Sequence, residues 1–251
     1  MKKYITTLKR ANIKESSHIV KVFLTDNNFK TILSTNNDND YIYPRSAIKI
    51  FQAIPFVKSE AIKKYKLSSK IVALACSSHR GEKYHIKELN NWVKKVGITK
   101  KYLKCGIHDP LNIKAAKEMF KSNISASELH NNCAGKHLAM ITSCLENKYG
   151  KSNYLNFNHP HQIEIRKIFE TFTGNKILKK NYGIDGCSAP QYSFKMKDIG
   201  KMLINLIKSY NGNFAYSKDV KTLINAIINN PNYIGGTDSL DSKIMKISNG
   251  K

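Results

Sequence analysis

The chain has 251 residues, of which 41% are hydrophobic, so it can form a substantial core and is not a disordered protein. Its formal net charge is +24, but nearly all its basic residues are lysines, which are scattered among Asn and Ile. Specific recognition of nucleic acid favours arginine, so nucleic-acid binding is not expected. No apolar run reaches the roughly 18–20 residues that a membrane helix needs. The start of the chain also lacks the apolar segment of a signal peptide. We therefore expect a cytoplasmic protein without a membrane anchor.

The succession of patterns along the chain indicates a mixed α/β fold. Residues 4–35 carry short β-type runs, such as 18–24, which is followed by a turn at Asp26, Asn27 and Asn28. Apolar residues at helical spacing predict a helix over 46–56, and the continuous apolar run 70–76 predicts a buried strand. Further helices are predicted over 84–96, 111–121, 133–147, 160–173, 196–210, 218–229 and 240–247.

A Ser-x-x-Lys pair lies at the start of the first predicted helix. One helical turn would place the amine of Lys49 beside the hydroxyl of Ser46, and a desolvated lysine can act as the base for a serine nucleophile. The same spacing is expected by chance in a lysine-rich chain, where Ser46 would only cap the helix and Lys49 would lie on a solvated face. The spacing alone leaves both interpretations open.

Polar residues follow the predicted strand 70–76 directly. In Ser78-His79-Arg80-Gly81-Glu82, a hydroxyl and a carboxylate beside a glycine could hold a polar substrate, because functional residues are common where a buried element meets a loop. The alternative is a simple connection between strand and helix, with Ser and Glu as caps.

The cysteines include no Cys-x-x-Cys pair, which excludes a zinc ribbon or finger and argues against a disulfide framework. Cys133, Lys136 and His137 are close together on one predicted helix, and Cys187 follows later beside Asp185. A metal would need both cysteines and a third donor. His137 is the usual type of ligand, and Lys136 is a rare one because an amine must lose its proton to coordinate. The alternative is a small buried cysteine at a helix start.

Taken in order, these motifs resemble the asparaginase II family. The matching segments are 43–55, 78–82, 131–137, 185–190 and 230–241, so the resemblance covers nearly the whole chain, from about residue 8 to 246. It implies an α/β fold similar to that of serine β-lactamases and glutaminases, with a central sheet flanked by helices and an associated helical part. It also implies a homodimeric amidohydrolase that converts L-asparagine to L-aspartate and ammonia.

The resemblance also implies a role for each matching residue. Ser46 would be the nucleophile, Lys49 its base and Ser78 a proton relay. Substrate would contact Arg45, His79, Glu82 and Asn132. A zinc ion would be held by Cys133, Lys136 and Cys187, with Asp185 supporting these ligands, and would order the site and position the substrate. The family therefore suggests Lys136 where general ligand preferences favour His137.

The implied reaction is acyl transfer in two steps. Ser46 attacks the side-chain amide carbon while Lys49 takes the proton, ammonia leaves, and water hydrolyses the resulting ester. Other classes stay open at this point: an inactive or purely zinc-binding member of the same fold, a glutaminase, and a lysine-rich protein associated with nucleic acid.

Two features depart from the family pattern. Arg80 occupies a position at which the family usually has a small residue. The family also continues into a segment whose lysine pairs with the second serine, whereas this sequence ends at Lys251. We therefore expect residues 1–251 to form a single domain that is incomplete at its C terminus and lacks its last strand and helix.

Overall fold

A computed structural model describes residues 4–248 of the chain. Residues 1–3 and residues 249–251 lie outside the described residues, and the latter form the C-terminal end at which we expect the domain to be incomplete. The strands are β1 (Tyr4–Arg10), β2 (Ile13–Val20), β3 (Phe23–Thr25), β4 (Thr31–Ser34), β5 (Tyr41–Ile42), β6 (Tyr182–Ile184), β7 (Pro190–Tyr192) and β8 (Phe194–Lys195).

Helices make up most of the described chain. They are α1 (Lys49–Lys58), α2 (Ala61–Lys64), α3 (Ser69–Ala75), α4 (Lys83–Val96), α5 (Ile113–Lys121), α6 (Ala134–Glu146), α7 (Pro160–Thr173), α8 (Met196–Tyr210), α9 (Ser217–Asn229), α10 (Pro231–Gly235) and α11 (Leu240–Ile247). None of the helices within 4–248 is long and apolar enough to cross a membrane.

The strands pair only two by two. Antiparallel pairs join β1 to β2, β3 to β4, β5 to β8 and β6 to β7, with Tyr41 opposite Lys195 and Tyr182 opposite Tyr192. The mixed α/β class expected from the sequence is confirmed, but the central sheet flanked by helices is not present among residues 4–248. Most side chains of β1 and β2 are exposed, so this hairpin does not contribute to the core.

The predicted strand at 70–76 is wrong, because this segment is helix α3. Ser68 caps the helix, its hydroxyl accepting a hydrogen bond from the backbone N–H of Ile71. All residues from Ile71 to Ala75 are buried. A short run that is apolar on every face shows neither the strand nor the helix period, so its periodicity could not separate the two.

Helices α1 and α6 form the centre of the core. Nearly every residue of α1 is buried, and α6 is buried without interruption from Ala134 to Cys144. Both helices are covered on every side, and most of their buried residues are apolar. They pack against each other, and α1 also packs against α7 and α9. Both central helices begin at residues that the sequence singled out for chemistry.

A close backbone approach joins α3 to α6 at Gly135. A Cβ atom at this position would lie 2.0 Å from the carbonyl oxygen of Leu74, far inside van der Waals contact. Glycine is therefore required here for space. The approach holds the end of α3, and with it Ser77 and Ser78, against the start of α6.

Candidate active site

Ser46 and Lys49 lie on a tight turn that leads into α1. Residues Arg45–Ile48 form one 3-10 turn, and Lys49 is the first residue of the helix. Ser46 is exposed, whereas Lys49 has only 2% of its surface accessible. Arg45 has a φ of +54°, a left-handed conformation that non-glycine residues seldom adopt and that is frequent at functional sites. The turn therefore places a hydroxyl at the surface and an amine beneath it.

A continuous hydrogen-bond chain connects the two residues through Ser78. The Nζ of Lys49 donates to the Oγ of Ser78 over 2.9 Å, and this hydroxyl donates to the Oγ of Ser46 over 3.0 Å. Lys49 also donates to the backbone carbonyl of Ser77, which fixes its direction. The sequence interpretation placed the amine directly beside Ser46, whereas the structure places the second serine between them.

Burial disfavours the charged form of Lys49. Desolvation lowers the pKa of its amine, and the positive charge of Lys136 lowers it further, while Cys133 acts in the opposite direction. A lysine with a lowered pKa carries a larger neutral fraction near neutral pH, and only neutral lysine can accept a proton. The environment of Lys49 thus suits a base.

The residues proposed to hold metal lie beside this chain. Cys133 precedes α6, Lys136 lies in its first turn, and Cys187 arrives from the turn between β6 and β7. The Nζ of Lys136 donates to the Sγ of Cys187 over 3.2 Å, and all three side chains are buried. Lys49 also interacts with Cys133, so the serine–lysine chain and the cysteine cluster form one contiguous site.

The two cysteines are electrostatically distinct. A hydrogen bond from the Cys133 thiol, with His137 and Lys136 nearby, holds the pKa of Cys187 far below its ordinary value. The same hydrogen bond, together with burial, raises the pKa of Cys133. The hydrogen bond between the two thiols therefore favours the thiolate at Cys187 over the thiolate at Cys133.

Asp185 ties the Cys187 turn to the serine turn. Its carboxylate lies 2.5 Å from the guanidinium of Arg45 and accepts the backbone N–H of Gly186 over 2.8 Å. The turn is closed by a hydrogen bond from the backbone N–H of Ser188 to the carbonyl of Asp185. These contacts connect Asp185 both to Arg45 and to the turn that carries Cys187, whereas its supporting role toward a metal ligand stays a prediction.

The remaining predicted substrate contacts divide into two groups. His79 is fully buried and accepts the backbone N–H of Gly81, while Glu82 accepts hydrogen bonds from the backbone and hydroxyl of Thr237. Within residues 4–248, no hydrogen bond joins either side chain to Ser46 or Ser78. Asn132 is half-buried immediately before Cys133 and therefore lies at the site.

Several structural residues of the site carry no recognisable sequence signal. His108 accepts the backbone N–H of Asn132 over 3.0 Å, and Asn131 joins Cys105 to Cys133 through its side-chain amide. Tyr154 contacts His137, which general ligand preferences favoured as a metal ligand and the family resemblance did not. These contacts come from loops distant in sequence, so only the tertiary fold brings them to the site.

The donor set is compatible with zinc, although it is unusual. No group of three or more His, Cys, Asp and Glu side chains suited to a metal ion occurs among the described residues. The proposed set contains two of those residues, Cys133 and Cys187, and its third member is Lys136. Two buried cysteine sulfurs are the soft ligands that zinc prefers.

Comparison with known proteins assigns the chain to a family. No curated protein matches it. The family model described as L-asparaginase II matches residues 6–251, which include every residue of the site. The chain therefore belongs to the L-asparaginase II family and is an L-asparaginase-like amidohydrolase.

Proposed function

We propose that the protein hydrolyses the side-chain amide of L-asparagine, giving L-aspartate and ammonia, through an acyl-enzyme on Ser46. The observation that carries this proposal is the hydrogen-bond chain from the buried amine of Lys49 through Ser78 to the exposed hydroxyl of Ser46. It supplies an accessible nucleophile, a relay and a base with a lowered pKa. Family membership supplies the substrate class.

The proton would travel through Ser78 instead of passing directly to Lys49. When Lys49 is neutral, both hydrogen bonds reverse direction, so that Ser46 donates to Ser78 and Ser78 donates to the amine. Attack of the Ser46 oxygen on the amide carbon then releases its proton along this path. Protonated Lys49 returns this proton through Ser78 to the amide nitrogen, which leaves as ammonia when the C–N bond breaks. Water then attacks the aspartyl ester, giving one proton to the same groups, and that proton passes to the Ser46 oxygen as L-aspartate leaves.

Charged groups at the rim would orient the amino acid. Arg45 is exposed at the end of the turn that carries Ser46, and a guanidinium binds a carboxylate in a planar, two-pronged geometry. Its partner Asp185 offers a complementary negative charge for an ammonium group. We propose that this pair and Asn132 hold the α-substituents of asparagine, which leaves the side-chain amide facing Ser46.

Zinc, in this proposal, is held by Cys133, Lys136 and Cys187. When bound, it supplies a fixed positive charge that orders the site and positions the substrate. The contact between Lys136 and Cys187 supports this assignment, because it brings the amine and a sulfur together before any metal arrives. Loss of bound zinc in Cys133→Ala and Cys187→Ala, measured by elemental analysis, would be the expected result.

We also propose that the chain is related in fold to the serine β-lactamases and glutaminases. This relationship is supported by a Ser-x-x-Lys motif at the start of a buried central helix, which is the arrangement that serves Ser–Lys chemistry in that class. The second serine contacts the lysine from a neighbouring segment, as a proton relay requires.

The test is ammonia release from L-asparagine by the parent and by Ser46→Ala, with L-glutamine assayed alongside. We expect the variant to lose activity while its circular dichroism stays that of the parent. Ser17→Ala, which removes an exposed hydroxyl on the β1–β2 hairpin, is the matched control and should stay active. Activity retained by Ser46→Ala would reject the nucleophile, and a preference for glutamine would reject the substrate.

A further inference from the structure

His137 is a fully buried histidine that the proposed mechanism does not use. It follows Lys136 in α6, and its side chain has no accessible surface. Its Nδ1 atom lies 2.6 Å from the phenolic oxygen of Tyr154, which is also fully buried. The two rings meet edge to face, with centroids 5.7 Å apart. The orientation of the imidazole is therefore fixed by packing as well as by the hydrogen bond.

Counting protons identifies which ring nitrogen carries hydrogen. The phenolic oxygen of Tyr154 accepts the backbone N–H of Lys104 over 3.0 Å, so its single hydrogen is free to point at Nδ1 of His137. The opposite tautomer would make this oxygen accept two hydrogen bonds and would leave its own buried hydrogen without an acceptor. Such an unpaired donor is costly. Neutral His137 therefore carries its proton on Nε2.

The Nε2 atom points toward the cysteine cluster. It is buried, and among residues 4–248 no group meets the usual hydrogen-bond geometry with it. The acceptor it faces is the sulfur of Cys187, on which Lys136 also converges. A buried N–H without an oxygen or nitrogen acceptor, beside the sulfur that Lys136 also contacts, has one available partner among the described residues.

We propose that His137 is a positioning residue that donates its Nε2–H to the sulfur of Cys187, with Tyr154 fixing the required tautomer. The inference deepens the proposed zinc site and rests on it. It also separates two roles: Lys136 remains the third ligand, whereas the proton on Nε2 removes His137 from the ligand set. Partners that orient metal ligands in this way typically contribute about 10–100-fold to metal affinity.

The first measurement is the tautomer of His137 in the metal-free full-length chain, by long-range ¹⁵N–¹H correlation spectra of ¹⁵N-histidine-labelled protein. We expect hydrogen on Nε2, and we expect Tyr154→Phe, which removes one oxygen atom, to shift the population toward Nδ1. Hydrogen on Nδ1 in the parent, or an unchanged tautomer in Tyr154→Phe, would overturn the inference whether or not the protein binds zinc.

The second measurement is the zinc dissociation constant, by competition with a chromogenic chelator. His137→Leu removes the donor and should weaken binding by about 10-fold or more, whereas His137→Gln retains an N–H near the Nε2 position and should stay within about 3-fold of the parent. Equal weakening by both substitutions would show that only the ring's packing matters, and equal retention would show that the donor is irrelevant. Either result rejects the positioning role.

Two buried residues provide matched controls. His161 in α7 and Tyr192 in β7 are fully buried, and no hydrogen bond among residues 4–248 joins either side chain to Cys187, so His161→Leu and Tyr192→Phe repeat the chemical changes outside the cysteine cluster. Both should keep the zinc affinity of the parent, and a comparable loss in either would reject the inference. If the parent binds no zinc, the metal proposal fails, and the tautomer in the metal-free protein still decides the role of His137.

Discussion

At the scale of single residues, the sequence predicted the chemical groups of the site better than their connections. Ser46, Lys49 and Ser78 were all identified, yet spacing along one helix suggested direct contact between Ser46 and Lys49. The structure instead shows Lys49 bonded to Ser78, because the end of α3 carries that serine over the amine. A contact between segments about thirty residues apart depends on helix packing, which local spacing does not encode.

Removal of the relay hydroxyl gives a prediction at this scale. In Ser78→Ala the connection from Ser46 to Lys49 is lost, so we expect kcat for ammonia release to fall by about 100-fold or more with a much smaller change in KM. Ser77→Ala is the matched control, because the Ser77 hydroxyl bonds to the carbonyl of Leu74 and not to this chain. Steady-state kinetics that show equal kcat values for the two variants would contradict the relay.

At the scale of elements, long helices were easier to predict than short ones: the buried helices α1 and α6 were both predicted, whereas α2, α3 and α10 were not. The predicted helix 160–173 matches α7, which begins at Pro160 and ends before Gly174 with a φ of +74°, a conformation suited to glycine. Segment 70–76 was assigned to a strand because burial on all sides removes the helical period. The short helices α2 and α10 were not predicted, since four or five residues give too little pattern.

The contact between α3 and α6 yields a prediction at the element scale. In Gly135→Ala the new methyl group would collide with the carbonyl of Leu74, and neither backbone can move without disturbing the core. We expect the free energy of unfolding to fall by about 3 kcal/mol or more, at the upper end of overpacking costs. Urea denaturation followed by circular dichroism would measure the loss.

Gly186→Ala is the control for this substitution. A Cβ atom at Gly186 would meet nothing within 4 Å, so the unfolding free energy should change by no more than about 0.5 kcal/mol. Similar stabilities for the two alanine variants would show that α3 and α6 can separate at little cost, and that the glycine is not needed to hold Ser78 in place.

At the scale of the whole molecule, the surface carries many charged side chains, whereas the core contains buried histidines. The 42 basic residues against 18 acidic ones dominate the surface, where ion pairs such as Arg10–Glu15 are solvent-exposed and contribute little to stability. Among residues 4–248, the core instead contains several histidines that form no ion pair, including His79 and His161. Neither feature identifies the activity, which comes from the site and the family match. The homodimer and the cytoplasmic location expected from the sequence stay predictions.

The buried histidines make the fold sensitive to acid. Burial, together with a smaller effect of neighbouring His159, lowers the pKa of His161 from 6.5 to about 3. Above pH 6.5 the ring is neutral in both folded and unfolded chains. As the pH falls below that value, the unfolded chain binds a proton that the folded chain excludes, so stability is lost down to about pH 3. The loss approaches about 1.4 kcal/mol per pH unit within this window.

His161→Leu should therefore flatten the dependence of stability on pH. We expect urea midpoints measured from pH 7 to pH 4 to fall less steeply in this variant than in the parent, whatever the substitution does to stability at pH 7. His79, whose pKa burial also lowers, accounts for part of the slope that remains. His18→Leu alters an exposed histidine on β2 and should keep the parent slope. Parallel curves for His161→Leu and the parent would show that acid unfolding is driven by other groups, because a neutral buried His161 requires the curves to diverge below pH 6.5.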